Sequence, residues 1–487
     1  MRIFKFKMWG KEIAVDVKSG NFFEVDKLAS NVIGLLDGGY NGPDIVEKLS
    51  GRYSRKAVLK SVDNLNGLKK KGMLFSSDEK KETKLKRKIT DLTLNIVSGC
   101  NLSCRYCWNQ RGGYGNNASD KGLMDARVAF KAVDLLIKES KGANDLVVDF
   151  YGGEPLLNYN LIKDVVGYCA RLQKNKPINF RFLLATNGTL LSREKAEFLI
   201  ENGVDIAVSL DGNKKIQDTQ RPFLAGGGSF DAVMNNLDAL NSGYRKRIVG
   251  RATFTPYSKN IIKTFKFLRN LGFERIEVCE SEKAGYGLEP NNRFFFTGTQ
   301  GIRRLKSLYY NLAIFYTQEI IKGNLSYENT YFNRFFKQLS RLYHIQSIVG
   351  TCSAGFSLMA VDRDAGIYPC TAFVGIPRFK IGDAGKGINE QRLSSFLSTK
   401  ISTNETCNEC WAKRICQGCG SCYNLNYFLN KNIGKPDSYY CELFRYKTKL
   451  MMAMIAEISE KAPELLEAVL IPEYYARRGR KQNAVNS

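Results

Sequence analysis

Three cysteines crowd the stretch CNLSCRYCW, at Cys100, Cys104 and Cys107, with no fourth thiol beside them. A structural zinc ion closes a tetrahedron of four ligands, commonly from paired Cys-x2-Cys turns. The ferredoxin run Cys-x2-Cys-x2-Cys-x3-Cys-Pro supplies four thiolates. Cys-x3-Cys-x2-Cys is neither. Three thiolates on a four-iron cluster leave one iron without a protein ligand, and the amino nitrogen and carboxylate oxygen of an amino acid can chelate it. A second group follows far downstream: Cys352, then Cys370 in GIYPC, then Cys407, Cys410, Cys416, Cys419, Cys422 and Cys441. Eight thiolates would fully ligate two four-iron clusters, and zinc knuckles are the other use of such pairs. Cys169 and Cys279 stand apart. Cys169, in VVGYCARLQ, reads as a buried helix residue, and Cys279 as one that could face a cavity.

The chain must be large enough to position these groups, and its 487 residues, 44% of them hydrophobic, predict two to four domains. Thirteen cysteines gathered mostly into two groups fit metal or redox use in a reducing compartment better than disulfides. No apolar run of about 18 residues and no signal-like start appear, so we expect a cytoplasmic protein with no membrane partner. The formal charge of +25 would attract nucleic acid, anionic lipid or an acidic polypeptide. Part of that charge, KKETKLKRK, reads only as a solvated linker.

Residues 1–77 show three short strand-like stretches and then three helical ones, a winged-helix-like module. Such a module binds DNA, or offers an edge strand and a groove to an extended peptide, or merely caps its neighbour. A basic linker spans 78–90. From 91 to 295 strand and helix alternate, with strands expected at 92–97, 146–150, 180–185, 205–210, 248–254 and 275–279. Six such units make a parallel sheet curled into a partial barrel, with chemistry at the carboxyl ends of its strands. The cysteine triplet follows the first strand, GGEP the second, TNG the third and DG the fourth. Residues 296–345 read as a helical bridge that includes the only histidine, His344, taken as structural. A cysteine-rich region spans 346–445. Residues 446–487 hold an apolar helix, KLMMAMIAEI, that should pack back on the body, and a tail expected to be disordered.

The triplet, with Tyr106 as the aromatic before its last cysteine and a strand before it, resembles the hallmark of the radical S-adenosylmethionine (SAM) enzymes. The resemblance implies a partial (β/α)6 barrel, a [4Fe-4S] cluster on Cys100, Cys104 and Cys107, and a deoxyadenosyl radical that abstracts hydrogen from substrate. By the same resemblance Gly152, Gly153, Glu154 and Pro155 hold the methionyl amino group. Ser209 and Asp211 meet the ribose hydroxyls, and Arg251 meets the methionyl carboxylate. The second cysteine group resembles the twin-cluster SPASM extension. That implies Cys407, Cys410, Cys416 and Cys441 on an outer cluster, and Cys352, Cys370 and one or both of Cys419 and Cys422 on an inner one. Three [4Fe-4S] clusters and SAM are therefore the expected cofactors. Two departures from the usual pattern fall on the inner set. Were only one of Cys419 and Cys422 to bind, an iron would stay open for a substrate thiolate.

The front module resembles the PqqD-like peptide recognition element of ribosomal peptide maturases. VDFYGGEPLLN, ATNGTLL and QRPFLAGGGSFD resemble maturases that form thioethers and those of quinohemoprotein amine dehydrogenase. The resemblance implies a peptide thioether synthase that grips a precursor's leader at its front module and takes electrons from a flavodoxin- or ferredoxin-type donor. Alternatives within the class are carbon-carbon crosslinking, epimerisation and oxidation of a protein residue. Outside it stand RNA modification and electron carriage, and nucleic acid is the disfavoured partner. Asp149 and Glu280 are placed toward the cavity without a role.

Overall fold

Residues 3–24 fold into an antiparallel sheet of β1 (Ile3–Met8), β2 (Lys11–Asp16) and β3 (Phe22–Glu24), in the order β1-β2-β3. This computed structural model describes residues 2–76, 87–108, 110, 122–258, 260–281, 292–324, 352–399, 405–416 and 423–466. Met8 pairs with Lys11, so Trp9 and Gly10 alone make the turn, both at positive φ, as a tight hairpin of this hand requires. Helices Lys27–Asp37, Gly42–Leu49 and Arg55–Lys70 follow, each capped by a side chain that accepts from its first turn: Asp26, Asn41 and Ser54. One face of the sheet packs on these helices through Ile3 and Ala14, against Val32, Ile45 and Val58.

The other face is also covered. Phe6, Ile13 and Val15 join the main core, so β2 is buried on both sides. Helix Ser438–Lys461 lies against this sheet, and the buried Lys11 Nζ bridges Glu24 at 3.1 Å, Glu457 at 3.6 Å and Glu460. Phe4 stacks on Trp411 with centroids 4.5 Å apart and planes 7° from parallel. The front module is thus seated on both the C-terminal helix and the cysteine-rich region.

Six parallel strands follow in chain order: β4 (Asp91–Val97), β5 (Asp145–Gly152), β6 (Asn179–Thr186), β7 (Val204–Ser209), β8 (Val249–Phe254) and β9 (Arg275–Glu280). Each stands within two residues of its expected bounds. The fold is the α/β partial barrel expected, with an open sheet. Along β5 the alternation is strict: Leu146, Val148 and Phe150 are buried in the core, while Val147, Asp149 and Tyr151 occupy the opposite, inner face.

Four strands were not foreseen. β10 (Leu358–Val361) pairs in parallel with β4, and β11 (Gly366–Tyr368), β12 (Gly382–Asp383) and β13 (Gly387–Ile388) continue outward, making ten strands in one sheet. Strands of two to four residues carry too few positions for a period to register. Helix Ser438–Lys461 also runs through position 445, where composition had placed a change of segment. Leu450, Met451, Met452, Ala453, Met454 and Ile455 are buried on all sides of it, packed on helix Gly298–Ile321. No helix of the described residues is long and apolar enough to cross a membrane. His344 and the C-terminal tail lie outside the described residues.

Candidate active site

The loop after β4 is held as an irregular ribbon by residues 220–224. Ser103 N donates to Pro222 O at 2.8 Å, Arg105 N to Gln220 O at 2.9 Å and Leu224 N to Asn101 O at 2.9 Å. Leu102 is fully buried at the centre of that pairing, which leaves the three thiols half-buried at the carboxyl end of β4. Leu102 N donates to Cys100 Sγ at 3.4 Å and Asn187 Nδ2 approaches it at 3.7 Å, while Arg221 Nη1 lies 3.9 Å from Cys104 Sγ. Burial pushes the Cys104 thiol up to about 12 against the pull of Arg221, and the Cys100 thiol higher still, with Glu154 and the other two cysteines adding to the effect. Bare thiolates are therefore disfavoured here, and a metal's charge is what would ionise them.

Among the described residues no three His, Cys, Asp or Glu side chains converge as a single metal ion requires. The three thiols nonetheless act on one another electrostatically. Three thiols on one short loop would suit a cluster in which each thiolate takes its own iron.

Gly152 ends β5 with φ +138, and a Cβ there would lie 2.3 Å from Val97 O. Only glycine lets β5 run this close to β4, and Gly153 N then donates to Val97 O at 3.1 Å. Gly152→Ala combines a backbone conformation costly for other residues with an overpacked contact, so we expect a loss of roughly 2–6 kcal/mol. A denaturation midpoint unchanged from wild type would refute this.

Glu154 is 1% exposed and heavily committed. Its carboxylate accepts from Leu156 N at 3.0 Å, Thr186 Oγ1 at 2.7 Å and Asn187 N at 2.7 Å, tying the GGEP loop to the end of β6. Of its four lone-pair directions about one remains for a ligand. Pro155 opens a short 3-10 turn behind it. Burial raises the Glu154 pKa despite these donors.

Asp211 departs from expectation. The resemblance placed it at ribose hydroxyls, but it is 1% exposed and saturated by protein donors. Tyr106 Oη donates to Oδ2, Gln220 Nε2 donates to the same oxygen at 2.7 Å, and Thr253 N donates to Oδ1 at 2.8 Å. Arg221 Nε is ion-paired to Oδ2 at 3.0 Å, and its guanidinium lies 5.3 Å from the Tyr106 ring. Asp211 therefore braces the cysteine loop from beneath. Ser209 lies half-buried at the end of β7.

The inner face below carries Tyr151, Asp149 and, across it, Arg251. Arg251 Nε is 3.7 Å from Glu277 and also feels Cys279 and Tyr151. Cys279 Sγ lies 4.0 Å from Thr253 Oγ1 on this face. Glu280, by contrast, is held by Lys447 at 2.7 Å and by Tyr309, a clamp between β9 and the two long helices. Burial opposes its ionisation, but Lys447 outweighs burial and keeps its pKa below the usual carboxylate value.

In the second group, Cys410 N donates to Cys407 O at 3.3 Å, and Cys441 feels Cys416, Cys407 and Cys410. Burial lifts the Cys441 thiol to about 12. Cys352 and Cys370 pack with Trp108 on one apolar cluster, and Thr371 Oγ1 donates to Asn95 Oδ1 of β4 at 2.8 Å, so this pair sits beside the triplet's own loop. Cys419 and Cys422 lie outside the described residues. Cys169 is fully buried in helix Tyr159–Asn175, as expected.

Residues 94–279 match the family model of the Radical SAM superfamily. These residues form a radical SAM domain. That superfamily implies SAM and a [4Fe-4S] cluster. The cysteine-type anaerobic sulfatase-maturating enzyme of Clostridium perfringens is 24% identical over 368 residues, 72% of this chain and 92% of that protein. The solved structure of native anSMEcpe with bound AdoMet and Cp18Cys peptide aligns with TM-score 0.61 at 21% identity, over 76% of this radical SAM enzyme and 98% of that chain. Streptococcus suis SuiB bound to precursor peptide SuiA aligns with TM-score 0.50 at 15% identity, over 90% and 98%. Both likenesses concern the fold. Arg221 and Gln220 had been passed over in the sequence; they lie in QRPFLAGGGSFD, a stretch noted for its resemblance but not for any single residue.

Proposed function

We propose that this radical SAM enzyme is a peptide maturase that joins a cysteine sulfur to a substrate carbon. One observation carries the reading: a three-strand, three-helix module is seated against helix Ser438–Lys461, the helix that supplies Cys441, and β3 has no strand partner on its outer side among the described residues. An extended leader added to such an edge would hold the adjoining core peptide at high local concentration near the barrel. Relatives named for sulfatase maturation and a fold neighbour bound to a precursor peptide support a peptide or protein substrate.

When bound, SAM and its cluster supply the radical that takes hydrogen from carbon. Cys100, Cys104 and Cys107 hold the cluster, and Gly152, Gly153, Glu154 and Pro155 shape the site for the methionyl end. Ser209 and Arg251 approach the ribose and carboxylate, and Tyr106 keeps the loop's geometry through Asp211. Cys407, Cys410, Cys416 and Cys441 hold one auxiliary cluster, and Cys352 and Cys370, with Cys419 or Cys422, the other. A flavodoxin- or ferredoxin-type protein is the electron donor.

The test is anaerobic incubation with a reductant, SAM and a short cysteine-bearing peptide chosen as candidate precursor. The expected product has lost two hydrogens and one alkylatable thiol, and its fragment ions span an internal link. A mass-neutral product means epimerisation. A product oxidised at one residue without a link favours the second reading, protein-residue oxidation, which the likeness to a sulfatase-maturating enzyme supports.

A further inference from the structure

Three carboxylates around the sheet, Glu154, Asp211 and Glu280, are already committed. Glu154 accepts three hydrogen bonds, Asp211 is saturated by Tyr106, Gln220, Arg221 and Thr253 N, and Glu280 is clamped by Lys447 and Tyr309. Asp149 is different. It is half-buried on the inner face of β5, level with Thr93 of β4 and Leu183 of β6, and among the described residues no hydrogen bond reaches its carboxylate.

Its surroundings are specific. Arg251 of β8 faces it with opposite charge and Asp91 of β4 with like charge, while Asp91 itself accepts from Thr90 Oγ1 at 2.7 Å. Tyr151 of its own strand feels both Asp149 and Cys107, its phenol raised to about 12 mainly by burial. Glu277 and Cys279 of β9 act on Arg251 itself. On β6 the facing residue is apolar Leu183, and Asp205 of β7 is taken by Arg181 at 2.7 Å and Arg275 at 3.5 Å. A half-buried carboxylate that no protein hydrogen bond reaches among the described residues, facing a cation and three residues below the GGEP turn, can receive an acidic proton.

We propose that Asp149 is the base that takes the proton from the substrate cysteine thiol before sulfur bonds to carbon. This rests on the maturase reading above. The S–H bond breaks, an O–H bond forms on Asp149, and the negative charge passes from carboxylate to sulfur while Arg251 stays cationic beside both. Burial raises Asp149 to about 7, against the pull of Arg251 and with the push of Asp91. That value lies within about two units of a free thiol, near enough for efficient transfer at neutral pH. The sign follows: below pH 7 Asp149 is protonated and cannot accept, so linkage should rise with pH and level off above it.

The test compares wild-type holoenzyme with Asp149→Asn and Asp149→Glu, using the same cysteine-bearing peptide. Asp149→Asn should form deoxyadenosine but at least about 100-fold less linked peptide, and lose the pH step. Asp149→Glu should recover part of the linkage. Independently of turnover, infrared difference spectra between acid and alkaline pH should show a protonated-carboxyl band titrating near 7 in the wild type and missing in Asp149→Asn. Linked product at wild-type rate from Asp149→Asn, deoxyadenosine lost in step with product, or no such infrared band would each overturn the assignment. A wild-type enzyme that forms deoxyadenosine but no sulfur link, while the band titrates as expected, would instead sink the thioether reading.

Discussion

Cys104→Ala should abolish deoxyadenosine formation and lower bound iron by one cluster while leaving the protein folded. Cys104 Sγ lies 3.9 Å from Arg221 Nη1, and burial holds the thiol near 12 when no metal is bound. Three thiolates leave one iron open to SAM, whereas two leave two irons exposed to solvent and the cluster unheld. The loop itself should survive, because its shape rests on backbone bonds from Ser103, Arg105 and Leu224 to the opposing strand of chain, none of which uses the thiol. Iron and sulfide assay, chromatography of deoxyadenosine and a thermal scan check the three parts separately. Wild-type iron with wild-type deoxyadenosine in this variant would mean that the triplet is not the cluster site.

Arg221→Leu should destabilise the enzyme by about 3–5 kcal/mol, the usual effect of removing one partner of a buried ion pair. Arg221 is 8% exposed and Asp211 1% exposed, and their 3.0 Å contact lies beneath the cysteine loop. The deleted guanidinium leaves a carboxylate out of water with only Tyr106, Gln220 and one backbone N–H against its charge. Adding Asp211→Asn should recover part of the loss, since the orphaned charge is removed with it. The check is denaturant unfolding of the single and double variants together with cluster content. Equal stability of wild type and Arg221→Leu would show that the pair contributes nothing net.

The six parallel strands were legible because each is a local pattern: apolar residues alternate over six to eight positions and a turn signal closes the run. The cysteine spacing was legible for a different reason. Cys100, Cys104 and Cys107 lie on one short loop, so their chemistry depends on neighbours in sequence. Gly152 belongs to the same class, since a glycine pair ending a strand already announces close backbone approach. The partner of Asp211 was not legible. Tyr106 is 105 residues away and Arg221 is reached only after the chain has turned through a helix, so nothing in SLDG marks which donors will meet its carboxylate. The four added strands were missed because two to four residues leave no period to read.

By itself the sequence determined the strand and helix alternation, the three-thiol loop and the glycine turn beside it, because each follows from short-range spacing and backbone sterics. Only the tertiary structure decided which carboxylates are spent. Glu154, Asp211 and Glu280 found donors elsewhere in the fold and Asp149 found none among the described residues, and a carboxylate out of water takes its character from whatever the fold places within hydrogen-bond reach.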